Sequence, residues 1–136
     1  MEIHIKQNVS QEEYNMYVHV YNLNIVNIPQ PINYDADHRV MTTQLINELN
    51  ISDLYGEYAH LVPDPIWQEI VNTIQTLMEN NIQYPDITGY NFIWYRERIW
   101  IIDFEHAEDT AKSTNFITKF CQWEEGDPKE WNPDFR

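Results

Sequence analysis

The chain has 136 residues, 43% of them hydrophobic, so it is long enough for one domain with its own core and too short for two. Its formal net charge of −14 and its lack of a Lys/Arg cluster disfavour nucleic acid and anionic membrane as partners. No apolar run is long enough to cross a membrane, and the first residues lack the apolar core of a signal peptide.

Hydrophobic periodicity and capping residues divide the chain into short elements. The capping box at Ser10-Gln11-Glu12-Glu13 predicts a helix start, and Asp64-Pro65 predicts a second one with Asp at the N-cap. In chain order we predict a strand at 2–6, a helix ending at 22–24, a hairpin of 31–34 and 39–45, a linker at 47–50, a short helix from Ser52 to about Tyr58, a helix from 64 to 80–81, a strand at 82–84, a hairpin of 91–95 and 98–102, and a helix from about 113 to 123. After residue 126 we expect irregular structure.

Two carboxylates and one amide lie next to apolar runs in the second half of the chain. Asp86 is followed five residues later by Asn91, and Asp103 comes twelve residues after that. Carboxylate and amide oxygens suit Mg²⁺, and phosphoryl transfer from a nucleotide needs such groups in one place. The simpler alternative is a β-hairpin bordered by solvated acids.

The spacing of these residues resembles that of the protein-kinase-like superfamily, in which a catalytic loop H-x-D-x-x-x-x-N precedes a metal loop D-F-G. Tyr84-Pro85-Asp86 with Asn91 matches the first pattern, and Asp103-Phe104-Glu105 matches the second. The Asp-Phe-Glu form is closest in style to atypical and small-molecule kinases. The resemblance implies that Asp86 is catalytic, that Asn91 and Asp103 bind the metal, and that the cofactors are ATP and Mg²⁺.

The resemblance also covers the start of the chain. Ile3-His4-Ile5-Lys6 resembles the V-A-I-K strand, which implies that Lys6 binds the nucleotide phosphates and that Glu13, or else Glu12, holds Lys6 in place. The residues alone leave two alternatives open: a solvated Lys6, and a Glu13 that caps its own helix. The resemblance further implies that Gln44 to Glu48 is the hinge that meets the adenine.

Several parts of the superfamily pattern are missing or altered. Tyr84 replaces the His that braces the catalytic loop, Glu105 replaces the Gly of the metal loop, and this sequence contains neither a Gly-rich loop nor an A-P-E motif. The resemblance therefore implies an α+β, truncated kinase-like fold over a single domain, 1–136. Residues 1–46 would form a partial N-lobe of a small antiparallel sheet and a helix, and 47–136 a reduced helical C-lobe with the catalytic-loop hairpin.

Three functions stay open at this level. The resemblance implies an ATP- and Mg-dependent phosphotransferase acting on a hydroxyl, in the manner of a Ser/Thr protein kinase. The alternatives are a pseudokinase that acts as a protein-binding module and a structural subunit that binds no nucleotide. Bare strand edges predict a homo-oligomer or a protein partner. The single Cys121 indicates a reducing, cytoplasmic location, and the high Asn, Ile and Tyr content is compatible with a viral source.

Overall fold

The computed structural model describes residues 1–135, so residue 136, the predicted end of the domain, lies outside the described part. Its helices and strands are, in order, β1 (Ile3–Lys6), α1 (Gln11–Leu23), β2 (Pro31–Asp35), β3 (Val40–Gln44), α2 (Ile51–Tyr55), α3 (Asp64–Glu79), β4 (Ile82–Gln83), β5 (Phe92–Tyr95), β6 (Arg98–Ile101), β7 (Glu108–Asp109) and α4 (Asn115–Phe120). Single 3-10 turns lie at Ala59–Leu61 and Gly89–Asn91. The predicted α+β class is confirmed.

Three small antiparallel sheets organise the chain. The first has the strand order β1-β3-β2, and the other two pair β4 with β7 and β5 with β6. In the first sheet β1 aligns Lys6 with Met41. The buried Tyr17 of α1 donates a hydrogen bond from its hydroxyl to the carbonyl of Pro29 at 2.6 Å. This bond fixes the helix relative to the chain that enters the sheet.

The predicted helix start at Ser10 is present, but the capping box is not completed. Ser10 Oγ accepts a hydrogen bond from the Glu13 backbone N at 3.1 Å. The Glu13 side chain bonds to Lys6 instead of folding back to its own helix start. At the other end of α1, Asn24 ends the helix in the left-handed conformation, with φ 54°.

The ends of α2 differ from the prediction. Asn50, not Ser52, is the N-cap, because its side chain accepts a hydrogen bond from the Asp53 backbone N at 2.8 Å. The helix ends at Tyr55 and not near Tyr58, since Gly56 follows with φ 94° and breaks the helical path.

The start of α3 also differs by one residue. Pro63 is the N-cap and Asp64 is the first helical residue. The Asp64 carboxylate forms an ion pair with Lys129 from the end of the chain, so a partner distant in sequence takes the place of the predicted cap. Likewise α4 is shorter than predicted. Thr114 Oγ1 caps its start by accepting from the Ile117 backbone N at 3.2 Å. The helix ends at Phe120, after which the backbone N atoms of Gln122 and Trp123 donate to carbonyls only three residues back.

The main core forms on the apolar face of α3. Ile66, Ile70, Ile74 and Leu77 recur at helical spacing and are at most 7% exposed. Trp67 on the same helix has its ring 4.8 Å from that of Trp131, which is 2% exposed although it lies in an irregular segment. The end of the chain is therefore irregular, as predicted, but packed into the core.

Gly89 lets the turn before β5 pack against α2. A Cβ at this position would overlap Ser52 Oγ and lie 3.1 Å from both the Ser52 backbone N and Trp131 Cζ2. The constraint is one of space, because only a residue without a side chain fits between these three groups.

We expect Gly89→Ala to lower the free energy of unfolding by about 1–3 kcal/mol, the usual cost of overpacking. The Ser52 hydroxyl is the atom nearest to the added Cβ, and Ser52→Ala removes it. Gly89→Ala should therefore lower the free energy of unfolding by less in a Ser52→Ala background. Urea unfolding of the four proteins measures both values. An equal cost in the two backgrounds would contradict the proposed contact.

Candidate functional site

The loop that contains Asp86 is held by hydrogen bonds to its own carbonyl groups. The Asp86 carbonyl accepts from the Asn91 side-chain Nδ2 at 2.9 Å and from the Thr88 backbone N at 3.0 Å. The Asn91 backbone N donates to the Thr88 carbonyl at 3.2 Å. Asn91 thus joins both ends of the loop and, through its Oδ1, keeps an oxygen that can serve a cation.

Tyr84 connects this loop to the one that contains Asp103. Its ring is 1% exposed and its hydroxyl donates to the Asp103 carbonyl. The ring lies edge-on to Phe104 at 5.6 Å, and burial holds the pKa of the hydroxyl well above its ordinary value, so it stays a donor. Tyr84 therefore braces the two loops, which is the role expected of the His that it replaces.

Asp103 is fixed by contacts on both oxygens. Its Oδ1 accepts from the Glu105 backbone N at 2.8 Å, and its Oδ2 lies 3.3 Å from Lys6 Nζ. The backbone next to Asp103 also bonds to Asn91, since the Ile102 backbone N donates to the Asn91 carbonyl at 3.1 Å. The hairpin β5–β6 thus returns Asp103 to the side of the chain that holds Asp86 and Asn91.

Lys6 and Glu13 form the ion pair that the resemblance implies. Lys6 Nζ lies 2.6 Å from Glu13 Oε2, and the Glu13 side chain is only 3% exposed. Burial tends to lower the pKa of Lys6, but its contacts with Glu13 and Asp103 outweigh burial and raise it. Lys6 therefore stays charged between two carboxylates from different parts of the chain.

The site carries an excess of negative charge. Burial raises the pKa of Glu13, and Lys6 offsets this only in part. Burial also raises the pKa of Asp86. A hydrogen bond from Asn91 opposes burial, the charge of Asp103 raises the pKa further, and His106 and Thr88 lower it by smaller amounts. With Lys6 as the cation in direct contact with Glu13 and Asp103, the carboxylates favour binding of a further cation.

The donor set fits Mg²⁺ only together with a nucleotide. Among residues 1–135, no group of three or more His, Cys, Asp or Glu side chains is arranged to hold a metal ion by itself. Mg²⁺ bound with nucleotides usually takes one or two carboxylates, with phosphates and water completing its shell. Asp103 and Asn91 can supply the protein oxygens of such a shell.

A cavity of about 220 Å³ lies at the predicted hinge. It is lined by the hinge residues Gln44, Leu45, Ile46 and Glu48 and by Ile93 and Ile102. Ile102 directly precedes Asp103, so this cavity adjoins the predicted metal loop. A larger cavity of about 410 Å³, between α3, α4 and the end of the chain, is lined by Trp67 and Phe116. Binding of a nucleoside in the cavity at the hinge stays a prediction.

The structure brings the five predicted site residues together in two groups: Lys6, Glu13 and Asp103 are in direct contact, and Asp86 bonds to Asn91. The charge of Asp103 acts on Asp86, so the two groups are neighbours. Their individual roles stay predictions. Two contributors were missed from the sequence: the Tyr84 hydroxyl and Asn132, whose side chain donates to the Pro85 carbonyl at 2.8 Å. The bond from Asn132 spans 47 residues and has no local sequence pattern that could have indicated it.

Comparison with protein families gives a match that covers most of the chain. The RIO domain family model matches residues 3–121. No curated protein matches the chain. None of the helices in residues 1–135 combines the length and apolar character needed to cross a membrane.

Two solved kinase structures are similar to this one. PK-1 kinase of Cydia pomonella granulovirus matches with a TM-score of 0.58 and 15% identity over 82% of this chain and 47% of that chain. Rio2 kinase of Chaetomium thermophilum, solved as an ADP/Mg²⁺-phosphoaspartate complex, matches with a TM-score of 0.61 and 16% identity over 90% of this chain and 42% of that one. The chain spans less than half the length of either structure.

At these identities the two structures show the fold alone. They confirm the predicted truncated kinase-like fold, because this α+β chain superposes on under half of each kinase. The family match covers most of the chain and includes the elements that bear all five site residues. The chain therefore belongs to the RIO domain family, an atypical family of the protein-kinase-like superfamily.

Proposed function

We propose that this chain is a phosphotransferase that binds ATP with Mg²⁺ and transfers the γ-phosphoryl group to a hydroxyl. The observation that carries the proposal is the contact of Lys6 with both Glu13 and Asp103, at 2.6 and 3.3 Å. A cation on a strand, a buried carboxylate on the next helix and a carboxylate on the metal loop meet at one point. Such an arrangement can position a nucleotide and its metal ion.

In the proposed mechanism Asp86 accepts the proton of the acceptor hydroxyl. At the same time the oxygen of that hydroxyl bonds to the γ-phosphorus of ATP. The bond from that phosphorus to the β-phosphate oxygen breaks, and ADP leaves. Asp103 and Asn91 would hold Mg²⁺, whose charge would offset that of the phosphates. Lys6 would orient the phosphates, with Glu13 holding its ammonium group in place, so catalysis comes from alignment and electrostatics.

The raised pKa of Asp86 supports its role as a base. A carboxylate with a raised pKa binds a proton more tightly than one with an ordinary pKa. Asp86 can therefore take the proton from the acceptor hydroxyl as that hydroxyl reacts. The Asn91 side chain and the Thr88 backbone N donate to the Asp86 backbone carbonyl. The Thr88 hydroxyl donates to Oδ1 of the Asp86 carboxylate at 3.4 Å, which helps to orient it.

The direct test is the melting temperature with ADP or ATP, with and without Mg²⁺. Nucleotide at about 100 times its dissociation constant should add about 2.7 kcal/mol to the free energy of unfolding. We expect this shift to be lost in Asp103→Asn and kept in Asp86→Asn, because Asp103, unlike Asp86, is assigned to the metal. Asp37→Asn, which removes an exposed carboxylate in a turn, is the matched control.

Transfer of radioactive phosphate separates the remaining alternatives. Asp86→Asn should lower the rate about 10²- to 10⁴-fold, the usual contribution of a general base. Nucleotide binding without phosphate transfer in the wild-type chain would indicate a nucleotide-binding pseudokinase. A melting temperature unchanged by millimolar nucleotide would exclude both the phosphotransferase and the nucleotide-binding pseudokinase. Because the related Rio2 structure contains a phosphoaspartate, hydroxylamine treatment should be used to detect an acyl phosphate alongside hydroxyl acceptors.

The ionised carboxylate of Asp86 should also lower the free energy of unfolding at neutral pH. Its folded-state pKa is raised above the ordinary value of 3.8, so ionising it disfavours the folded state. The stabilising contribution of its proton is full below pH 3.8 and is lost as pH rises through the folded pKa. We expect Asp86→Asn to raise the melting temperature at pH 7 in metal-free buffer, with a gain that shrinks towards pH 3.8. Asp37→Asn should show no such pH-dependent gain, and a constant difference across this range would contradict the assignment.

A further inference from the structure

The segment from Lys129 to Asn132 follows the part of the chain that the RIO family model matches, yet it is built into the site. The match ends at residue 121. Trp131 and Asn132 are 2% and 4% exposed although neither lies in a helix or strand. A buried irregular segment needs partners for its polar groups, and those partners identify what it does.

Asn132 bonds to the peptide groups on either side of Asp86. Its side-chain Nδ2 donates to the Pro85 carbonyl at 2.8 Å, and its backbone N donates to the Ile87 carbonyl at 2.9 Å. Its Oδ1 accepts from the Asp134 backbone N at 3.1 Å, which fixes the orientation of the amide. One residue therefore holds both neighbours of Asp86.

The same segment is anchored at its other end. Lys129 Nζ donates to the Val62 carbonyl at 2.6 Å and pairs with Asp64 at the start of α3. The Trp131 ring lies 4.8 Å from Trp67 and stacks on Phe92 at 6.4 Å with an angle of 17° between the rings. The loop around Asp86 is thus tied through this segment to the longest helix of the chain.

Without Asn132 the peptide groups from Pro85 to Thr88 would keep only bonds from within the loop. The Ile87 backbone N donates to the Pro85 carbonyl and the Thr88 backbone N to the Asp86 carbonyl, each across two residues. Asn91 donates from its side chain to the Asp86 carbonyl and from its backbone N to the Thr88 carbonyl. Such bonds define the shape of the loop, but only Asn132 connects it to the end of the chain.

We propose that Asn132 is a positioning residue that holds Asp86 in its working geometry, so that the segment after residue 121 forms part of the catalytic unit. This inference rests on the proposed function, since it concerns the same carboxylate. Asn132 touches the peptide groups of the loop and not the reacting atoms. Displacing a catalytic group by about 1 Å can lower a rate about 10²-fold, so such a residue affects turnover before it affects binding.

The test compares Asn132→Asp and Asn132→Ala with two controls. Asn132→Asp keeps the shape but replaces the donor that faces the Pro85 carbonyl, and Asn132→Ala removes the side-chain bond outright. Asp134→Ala changes an exposed side chain in the same segment and leaves both bonds to the loop. Ile117→Val destabilises the distant α4 and corrects for any general loss of stability.

Three measurements are made on each full-length variant: the dissociation constant for ADP with Mg²⁺, kcat for phosphate transfer, and amide hydrogen exchange at Ile87 and Thr88. For both Asn132 variants we expect kcat to fall about 10- to 100-fold with the dissociation constant changed less than about twofold. Exchange at the two amides should rise about tenfold, because the loop opens more often once the bond from the Asn132 side chain to the Pro85 carbonyl is lost. Asp134→Ala should match the wild type in all three.

The inference is overturned if the Asn132 variants match Ile117→Val in kcat and in exchange at equal melting temperature. It is also overturned if binding and turnover fall together. A wild-type chain that neither binds nor transfers would remove the proposed function on separate grounds. Exchange at Ile87 and Thr88 then decides whether Asn132 positions the loop, and unchanged exchange in Asn132→Ala rejects it.

Discussion

The contact of one ammonium with two carboxylates from different parts of the chain is the interaction on which the site depends. Lys6 lies on β1, Glu13 on α1 and Asp103 after β6, and the three meet within 3.3 Å. Glu13 is nearly fully buried, and a buried carboxylate without a cation would be strongly unfavourable. The pairing therefore fixes how the first sheet and its helix sit against the hairpin β5–β6.

This pairing is not neutral overall, and the imbalance matters for function. The pKa of Glu13 is raised in spite of Lys6, and the pKa of Asp86 is raised by burial and by Asp103. Burial is the main cause of both shifts, and neighbouring carboxylates add repulsion. Carboxylates with raised pKa values are common at functional sites, and a bound cation would favour their charged forms.

Hydrogen bonds to backbone carbonyls complete the arrangement. The carbonyls of Pro85, Asp86, Ile87 and Thr88 all have donors, supplied by the loop itself, by Asn91 and by Asn132. Tyr84 does the same for the Asp103 carbonyl. A short chain with few regular elements around its site can keep these loops in place because their polar groups are satisfied from several directions.

The sequence alone was enough for the α+β class and for the order of the elements apart from β7, because hydrophobic period and capping residues are local signals. It also offered five candidate side chains, through the local spacing of Asp86, Asn91 and Asp103 and the resemblance at the start of the chain, and their roles stay predictions. It could not distinguish a Glu13 that caps α1 from one that pairs with Lys6, since the choice depends on where β1 lies. The pairing of β4 with β7, the ion pair of Asp64 with Lys129 and the bonds from Asn132 depend likewise on segments distant in sequence. Only the tertiary structure decided these contacts. A buried polar group bonds to whichever partner is near it in space, and a partner that is distant in sequence produces no periodic pattern in the chain.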